Sequence, residues 1–368
     1  MSAGVYIHIP FCKSRCSYCD FATDVYRSSG AVELYVEALC KEISSFRQRN
    51  IDIDTIYFGG GTPSLLLPHQ LESILGRVRD IFEVAAGAEI TMEMNPATVT
   101  SESLAAFRGL GVNRASFGVQ TFNERDLKLL ARGHDANDAR QTFRLLRDAG
   151  FENISFDLIA GLPGQTLDDW RRNLEEAVSM SPEHLSLYLL EIHEGTPLAE
   201  QVRSGRRPMP DEDLAADMYE LMIDTLEAAG YRQYEISNFA KPGFDSRHNS
   251  KYWRMDPVYG FGVSAHSFDG RERYANDRDT AGYVTKISSQ GSAEVFRETP
   301  NYASESAFLG LRLSEGIDIA LHQSIFDVDL ASKIAALRSH GLVEESGGRL
   351  CLTRRGMLFS NEVFAEFV

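Results

Sequence analysis

Cysteine, positive charge and long apolar runs are all scarce in this 368-residue sequence. Five cysteines are too few, and odd in number, for a disulfide framework. The sequence has 37 Lys and Arg but 53 Asp and Glu, and the resulting net charge of −16 argues against nucleic-acid binding. No stretch approaches the ~20 apolar residues of a membrane span, and the first ten residues lack the basic segment of a secretion signal. We therefore expect a cytoplasmic protein without a transmembrane segment, whose thiols stay reduced.

Short β-rich runs alternate with amphipathic helical patterns through the first half of the chain. The runs span residues 5–10, 55–60, 89–95, 115–120, 153–159 and 184–190. Helices are predicted near 32–46, 67–82, 101–109, 136–149, 167–179 and 211–229. Six β–α units in series predict a parallel sheet with right-handed crossovers, and six strands are too few for a closed eight-stranded barrel. We therefore predict an α/β fold, a partial (β/α)6 TIM-like barrel with its site at the carboxyl ends of the strands.

The rhythm changes near residue 235, which divides the chain into three predicted parts. Residues 1–235 form the α/β core, and 236–300 form a polar, aromatic linking segment. Residues 301–368 combine helical patterns near 303–312 and 329–339 with a hairpin turning at Gly347-Gly348, which predicts a small α+β winged-helix-like domain. Such domains often bind DNA, but on so acidic a chain Arg349, Arg354 and Arg355 are better explained as a solvated or domain-docking surface.

Three of the five cysteines lie within eight residues, directly after the first predicted strand. Cys12, Cys16 and Cys19 have the spacing C-x3-C-x2-C, which places three thiols in one tight loop. Three thiolates can hold three irons of a cubane cluster and leave the fourth iron open to a small ligand. The alternatives are an incidental cluster or a structural zinc site, but such zinc sites almost always have four protein ligands. Cys40 and Cys351 read as core residues and supply no evident fourth ligand.

Polar residues also stand at or just past the ends of the later strands. Glu93 and Asn95 close the third strand, Gln120 closes the fourth, Asp157 lies in the fifth and Arg132 follows in a loop. Any one of them could be a structural polar group. Because successive parallel strands end at one edge of the sheet, we expect these side chains to converge there on one site.

The cysteine triad, followed after the second strand by the segment GGGTP at residues 59–63, resembles the radical S-adenosylmethionine (SAM) superfamily. The resemblance implies that Cys12, Cys16 and Cys19 bind a [4Fe–4S] cluster whose fourth iron is chelated by SAM. It also implies that one electron from the cluster cleaves SAM to a 5′-deoxyadenosyl radical. The glycine-rich segment would approach the amino end of SAM. On its own that segment would be a weak signal, because a flexible turn explains it equally well.

The whole chain is similar to the superfamily branch that contains oxygen-independent coproporphyrinogen III dehydrogenase (HemN) and the haem chaperone HemW. The segments YIHIPFC, GGGTPS, SFGVQTF and DLIAGLPGQT carry this resemblance. It implies SAM contacts, some of them to a second SAM molecule, by Tyr6, Tyr18, Gly60, Gly61, Thr62, Glu93, Gln120, Arg132 and Asp157. Ala131 departs from the pattern, since relatives often have glycine there.

Three features favour the chaperone type within this branch. The dehydrogenase has a further cysteine two residues after the triad, where this chain has Phe21, and a substantial segment ahead of the tyrosine, where this chain has five residues. The segment HNSKYW at 248–253 resembles one associated with haem binding, which implies His248 as an axial ligand. Tyr252 and Trp253 could stack on the porphyrin, and Arg247 and Lys251 could pair with its propionates.

Two functions therefore remain open at the level of sequence. The first is a chaperone that carries haem to haem-requiring, possibly respiratory, acceptor proteins. The second is the dehydrogenase itself, which decarboxylates the propionates of coproporphyrinogen III, and the replacement of its extra cysteine by Phe21 speaks against it. Both imply an electron donor such as flavodoxin, and whether the chain is an enzyme stays open.

Overall fold

The computed structural model describes residues 2–48, 50–325 and 330–367. One twelve-stranded sheet forms the main body, and a three-stranded sheet belongs to a C-terminal module. The strands are β1 (Ala3–Ile9), β2 (Phe11–Cys12), β3 (Asp24–Val25), β4 (Asp52–Gly60), β5 (Glu83–Met94), β6 (Arg114–Gln120), β7 (Ile154–Ala160), β8 (His184–Leu189), β9 (Arg232–Glu235), β10 (Asn238–Ala240), β11 (Val258–Phe261), β12 (His266–Phe268), β13 (Arg273–Asn276), β14 (Glu294–Glu298), β15 (Ile317–Asp318), β16 (Val343–Ser346) and β17 (Arg349–Leu352).

Helices cover the main sheet and make up much of the C-terminal module. They are α1 (Ser29–Ser45), α2 (Pro68–Ile81), α3 (Ser101–Gly109), α4 (Glu124–Leu129), α5 (Ala136–Asp148), α6 (Leu167–Met180), α7 (Pro197–Arg203), α8 (Glu212–Ala228), α9 (Arg247–Trp253), α10 (Thr280–Gln290), α11 (Tyr302–Leu311), α12 (Ile319–Ile325), α13 (Leu330–Ser339), α14 (Arg354–Leu358) and α15 (Ser360–Ala365). None of the described helices is long and apolar enough to cross a membrane.

Six parallel strands, β1-β4-β5-β6-β7-β8, occupy the middle of the large sheet in that order. They are the six strands predicted from the sequence, with ends shifted by a few residues. The predicted helices correspond to α1, α2, α3, α5, α6 and α8, so the α/β fold class with six β–α units is confirmed, and the short helices α4 and α7 were not predicted. In the described part of the chain the outermost strands, β14 and β9, do not pair with each other.

Alternation along each strand separates an apolar face from a polar one. In β1, Val5, Ile7 and Ile9 are fully buried with the apolar stripe of α1, whereas Tyr6 and His8 point to the opposite face. The helices that supply the apolar cover have capped starts; Thr166, for example, accepts a hydrogen bond from the backbone N–H of Asp169 at the start of α6. The polar faces of the six strands therefore line a shared interior.

Residues 236–300, expected to be a linking segment, extend the main sheet at both edges. Strand β11 pairs parallel with β1 and continues into the antiparallel strands β12, β13 and β14, while β10 pairs with β8 and β9. The buried carboxylate of Glu42 on α1 accepts hydrogen bonds from Gly262 N, Asn276 Nδ2 and the Tyr283 hydroxyl at 2.8, 2.6 and 2.6 Å. Burial raises the pKa of Glu42 to about 7. This carboxylate joins the first helix to the extension.

The C-terminal module consists of α11, β15, α12, α13 and the β16–β17 hairpin, so that the two predicted helices and the predicted hairpin are joined by a strand and a further helix that were not predicted. Residue 329, the predicted start of its second long helix, lies outside the described residues. Gly347 and Gly348 turn the hairpin with φ of 58° and 79°, values that glycine adopts readily. Its arginines are used internally: Arg349 donates to the carbonyls of Glu315 and Gly316, and the Arg355 guanidinium lies over the Phe359 ring.

Arg354 docks this module onto helix α8. Its guanidinium contacts the carboxylates of Glu220, Asp224 and Glu227 at 3.2, 2.7 and 3.4 Å. Three acids converging on one arginine form a network, which is worth more than an isolated surface pair. The domain-docking explanation of this arginine therefore has direct support.

We predict that Arg354→Met lowers the free energy of unfolding by roughly 0.5–1 kcal/mol at low salt, because half-exposed ion pairs are weak singly but add in a network. Most of this loss should disappear near 1 M salt, where exposed charges are screened. Urea unfolding at both salt concentrations measures it. The control is Arg203→Met, which removes an exposed pair with Glu200 inside α7. Equal effects of the two substitutions would show that Arg354 does not dock the module.

Candidate functional site

The cysteine loop begins where β1 ends, at the carboxyl edge of the parallel strands. Each of its three sulfurs has a hydrogen-bond donor of its own. The Thr62 hydroxyl donates to Cys12 Sγ at 3.6 Å, and Arg132 Nη1 donates to Cys16 Sγ at 3.3 Å. Cys19 is contacted by the backbone N–H of Phe21 and by the Thr23 side chain. Hydrogen-bond donors of this kind stabilise thiolates, and they also tune the reduction potential of an iron–sulfur cluster that the thiolates bind.

The surroundings of Cys12 and Cys19 favour the protonated thiol. Burial raises the pKa of Cys12 and of Cys19, and the neighbouring thiols raise these pKa values further, whereas the hydrogen bonds lower them. A bound metal must therefore displace the protons. Within the described residues, no group of three or more His, Cys, Asp and Glu could hold a single metal ion. Three thiols with individual donors and no fourth ligand fit an iron–sulfur cluster with one open iron.

The segment Gly60–Thr62 begins at the last residue of β4 and packs against the end of β1. Gly60 has φ of +109°, and a Cβ there would lie 2.6 Å from the His8 ring. A Cβ at Gly61 would lie 2.6 Å from the carbonyl oxygen of Pro10. The fold itself therefore requires both glycines. Thr62, 1% exposed, is held with its hydroxyl at Cys12.

Arg132 and Asn95 connect the strand ends to the cysteine loop. Arg132 Nη2 donates to Asn95 Oδ1 at 2.8 Å and to the carbonyl of Gly118 at 2.5 Å, and Asn95 Nδ2 donates to the Thr62 hydroxyl at 2.7 Å. This relay reaches two of the three sulfurs. The Nε of Arg132 is buried without a protein partner. An orphaned, charged donor beside the cluster loop fits a bound carboxylate, such as that of SAM.

Two buried carboxyl groups, Glu93 and Asp157, face the same interior. Glu93 accepts from the Tyr57 hydroxyl at 2.8 Å and from Gly60 N at 3.1 Å. Burial raises the pKa of Glu93 to about 7, the Tyr57 hydrogen bond opposes the shift, and the nearby Asp157 adds to it. Burial also raises the pKa of Asp157 to about 6, against a hydrogen bond from Ser186. Poorly solvated acids of this kind favour a cationic ligand, and SAM carries an amino group and a sulfonium.

The remaining predicted SAM contacts lie around this pair. The Tyr18 hydroxyl lies near Arg132, Cys16, Cys19 and Asp157, and burial raises its pKa. Gln120, 8% exposed, ends β6 in the left-handed region with φ of 68°, next to a break in the β6–β7 register. The Tyr6 hydroxyl is hydrogen-bonded to His8 Nδ1 at 3.0 Å. His8 Nε2 donates to the carbonyl of Ala22 at 2.9 Å, which anchors the cysteine loop.

His248 lies nearer the amino-terminal ends of the strands, in ring contact with Tyr6 and Tyr57 of this group. Its Nδ1 is hydrogen-bonded to the Thr55 hydroxyl at 2.9 Å and its Nε2 to the Tyr252 hydroxyl at 3.1 Å. Its ring stacks on Tyr57 with a centroid distance of 5.1 Å. Gly4, where a Cβ would lie 3.2 Å from His248 Cε1, is five residues before the end of β1, or about 17 Å along the strand. His248 is thus continuous with the proposed SAM contacts: its ring also stacks on Tyr6 with a centroid distance of 6.5 Å, and Tyr57 donates to Glu93.

The neighbours of His248 in the HNSKYW segment have partners as well. Arg247 and Lys251 both contact the carboxylate of Asp54, at 3.0 and 2.8 Å. Trp253 lies beneath the Arg312 guanidinium. Helix α9, which carries the segment, is thereby fixed to the start of β4.

Comparison with known proteins assigns this arrangement to a family. Residues 6–177 match the profile of the Radical SAM superfamily, and residues 299–359 match that of the HemN C-terminal domain. The protein named Heme chaperone HemW of Bacillus subtilis is 36% identical over 377 residues, 99% of both chains, and that of Escherichia coli is 33% identical over 99% of this chain and 98% of its own. The structure of coproporphyrinogen III oxidase (HemN) from Escherichia coli aligns with a TM-score of 0.86, at 26% identity, over 100% of this chain and 90% of that one.

The chain belongs to the HemW family of radical SAM proteins. Membership in the superfamily implies SAM and a [4Fe–4S] cluster as cofactors, and the geometry of the cysteine loop and of the two carboxyl groups fits them.

Two residues of this radical SAM site were not assigned a role from sequence. Asn95 was noted only as a polar strand end, yet it bridges Arg132 and Thr62. Tyr57 holds Glu93. Period-two alternation with Gly59 would have placed Tyr57 on the interior face, but nothing in a single sequence identifies its partner.

Ala131 occupies a backbone position that favours glycine. Its φ is 52°, in the left-handed region where a Cβ costs energy. We predict that Ala131→Gly raises the free energy of unfolding by about 1 kcal/mol in urea titrations. The control Ala335→Gly, at an exposed position within α13, should instead lower it by roughly 1 kcal/mol. A loss of stability in Ala131→Gly would contradict the assigned backbone conformation.

His248 should make the protein sensitive to acid. Burial, with Lys251 and Arg114 nearby, lowers its pKa from 6.5 to about 3. The unfolded chain therefore binds a proton below pH 6.5 that the folded chain excludes, and stability falls as the pH falls through this window. Relative to His248→Gln, the wild type should lose about 2 kcal/mol between pH 7 and pH 5. Urea unfolding measures the difference, and the exposed His69→Gln is the control. Parallel pH profiles of wild type and His248→Gln would refute the prediction.

Proposed function

We propose that this chain is a haem chaperone that binds haem and a SAM-ligated [4Fe–4S] cluster and delivers haem to haem-requiring respiratory proteins. The observation that carries the proposal is the match to proteins named Heme chaperone HemW over 99% of the chain. Phe21, 62% exposed in the cysteine loop, supports it, because the dehydrogenase type has a further cysteine there. The proposed setting is the cytoplasm, with an electron donor such as flavodoxin.

In this proposal Cys12, Cys16 and Cys19 hold the cluster. When bound, the cluster and SAM supply one-electron cleavage of SAM to a carbon radical. The chain contributes binding and orientation: Glu93 and Asp157 favour the cationic groups of SAM, and Arg132 Nε offers a donor to its carboxylate. The proposed SAM contacts are Tyr6, Tyr18, Gly60, Gly61, Thr62, Glu93, Gln120, Arg132 and Asp157.

Ligation of haem iron by His248 requires a rearrangement. An axial ligand needs a free ring nitrogen, and both nitrogens of His248 are hydrogen-bonded. Of the two partners, Thr55 is fully buried whereas Tyr252 is 37% exposed, so the Tyr252 side chain has more freedom to move. We propose that Tyr252 leaves Nε2 when haem binds. Pairing of Arg247 and Lys251 with propionates would likewise require exchange for Asp54.

A second candidate function is oxidative decarboxylation of coproporphyrinogen III. The fold similarity to HemN over the whole chain favours it. Phe21 argues against it, since the position carries no thiol in this chain. The candidate is retained because the two proposed activities can be separated by experiment.

Haem titration of the anaerobically reconstituted protein tests the chaperone proposal. We expect a Soret shift with the wild type and none with His248→Ala. Tyr252→Phe should bind haem about five-fold more tightly, because it no longer competes for Nε2 through a hydrogen bond worth about 1 kcal/mol. Tyr302→Phe, which alters an exposed tyrosine on α11, is the matched control.

Several outcomes distinguish the alternatives. Haem binding that survives His248→Ala and is unchanged in Tyr252→Phe would exclude His248 as the ligand. Absence of a Soret shift in the wild type would reject the chaperone. Protoporphyrinogen formation from coproporphyrinogen with SAM and a reductant would establish the dehydrogenase, and Cys16→Ser should then abolish it through loss of cluster iron.

A further inference from the structure

Four aromatic side chains form a continuous stack from the strand-lined interior to the surface of helix α9. The centroid of the His248 ring lies 5.1 Å from that of Tyr57 and 6.5 Å from that of Tyr6, and the two tyrosine rings are 6.2 Å apart. The Tyr252 ring meets His248 edge-on at 5.4 Å. All four distances are those of aromatic rings in contact. Tyr57 is 9% exposed and Tyr252 is 37% exposed, so the stack has one buried end and one end at the surface.

The tyrosine at each end of the stack is hydrogen-bonded to a base. The Tyr57 hydroxyl donates to Glu93 Oε1 at 2.8 Å, and the Tyr252 hydroxyl is hydrogen-bonded to His248 Nε2 at 3.1 Å. A neutral His248 that donates through Nδ1 to the Thr55 hydroxyl accepts at Nε2. A phenol that loses an electron becomes a strong acid, so a base in hydrogen-bond contact makes its oxidation easier. Both ends are therefore arranged to lose an electron and a proton together.

A second buried tyrosine–carboxylate pair shows what the stack adds. Tyr283 donates to Glu42 Oε2 at 2.6 Å, and its ring lies 5.4 Å from that of Tyr35, which in turn contacts Phe11. All three rings are buried, and among the described residues no exposed aromatic ring contacts them. A buried tyrosine on a carboxylate is thus not in itself connected to the surface, whereas Tyr57 is.

We infer that this stack is a path along which a single electron moves between the interior and the surface, with Tyr57 and Tyr252 as its redox-active ends. When an oxidant takes an electron from Tyr252, the hydroxyl proton moves to His248 Nε2 and a phenoxyl radical remains. An electron from Tyr57 then restores Tyr252, which regains its proton from His248. The Tyr57 proton passes to the ionised Glu93. The products are the reduced oxidant, a phenoxyl radical on Tyr57 and a neutral Glu93.

The same path can discharge a radical that arises in the interior, and this use rests on the proposed function. Tyr57 gives its hydroxyl hydrogen atom to a carbon-centred radical, so an O–H bond breaks, a C–H bond forms and the unpaired electron stays on the phenol ring. A reductant in solution, a thiol or ascorbate, then supplies one electron through Tyr252. The neutral form of Glu93 supplies the proton and recovers one from solvent. The stack would thereby protect the interior from oxidation.

Photochemical oxidation of the full chain, without cluster, SAM or haem, tests the inference. A laser flash on tris(bipyridyl)ruthenium with a cobalt(III) ammine quencher generates an oxidant that reaches exposed tyrosines. Samples frozen at increasing delays are measured by electron paramagnetic resonance. Phenoxyl radicals at the surface decay first, and we expect a long-lived radical on Tyr57 in the wild type. Tyr57→Phe and Tyr252→Phe should both lose it, because the first removes the end of the path and the second removes its entry.

Two control variants should keep the long-lived signal. They are Tyr283→Phe, at the buried pair without a surface connection, and Tyr302→Phe, at an exposed tyrosine outside the stack. A long-lived signal that survives in Tyr252→Phe, or that is absent from the wild type, would overturn the inference. Tyr252→Phe, at the exposed end, keeps the test informative if Tyr57→Phe fails to fold. Because neither haem nor SAM is present, failure here is distinguishable from failure of the proposed function.

Discussion

The contact of the residue 129–132 loop with the cysteine loop is the interaction on which the candidate site depends. Ser17, between two cysteines, donates its backbone N–H to the carbonyl of Leu130 and its hydroxyl to that of Leu129, at 3.0 and 2.8 Å. Arg132 continues the contact to Cys16 and, through Asn95, to Thr62 at Cys12. The cysteine loop, which carries the proposed cluster ligands, gains its shape from this neighbour, because short irregular segments have few internal hydrogen bonds. The left-handed Ala131 lets the backbone turn so that Arg132 points inward.

Sequence was sufficient for the parallel strands and for the cysteine triad, and insufficient for the edges of the sheet. The six parallel strands are apolar runs flanked by helical periodicity, which local patterns reveal. Strand β11 is only four residues long, and its partner β1 lies some 250 residues earlier in the chain. No local sequence pattern therefore predicts this pairing. The triad is recognisable because its spacing is local. The partners of His248 are not, since Thr55 and Tyr57 meet it only through the tertiary fold.

Burial favours the neutral forms of the titratable acids and histidines in the polar interior. Burial raises the pKa of Glu93 and Asp157 and lowers those of His184 and His248, so acids and bases alike shift towards neutrality. Arg114 and Arg132 stay charged, because an arginine does not lose its proton in a protein. The Nε of each is buried without a hydrogen-bond partner. Charged ligands are therefore expected to change the protonation of these acids as they bind, and at the proposed SAM site the affinity for SAM would depend on pH through Glu93 and Asp157.

His248 is connected to the residues around Glu93 by stacked aromatic rings. Its imidazole stacks on Tyr57 with a centroid distance of 5.1 Å and on Tyr6 with a centroid distance of 6.5 Å. The Tyr57 hydroxyl in turn donates to Glu93, one of the proposed SAM contacts. A movement of His248 would therefore disturb the rings that position Glu93, so that haem bound at one end of this stack and SAM bound at the other would each alter the affinity for the other ligand.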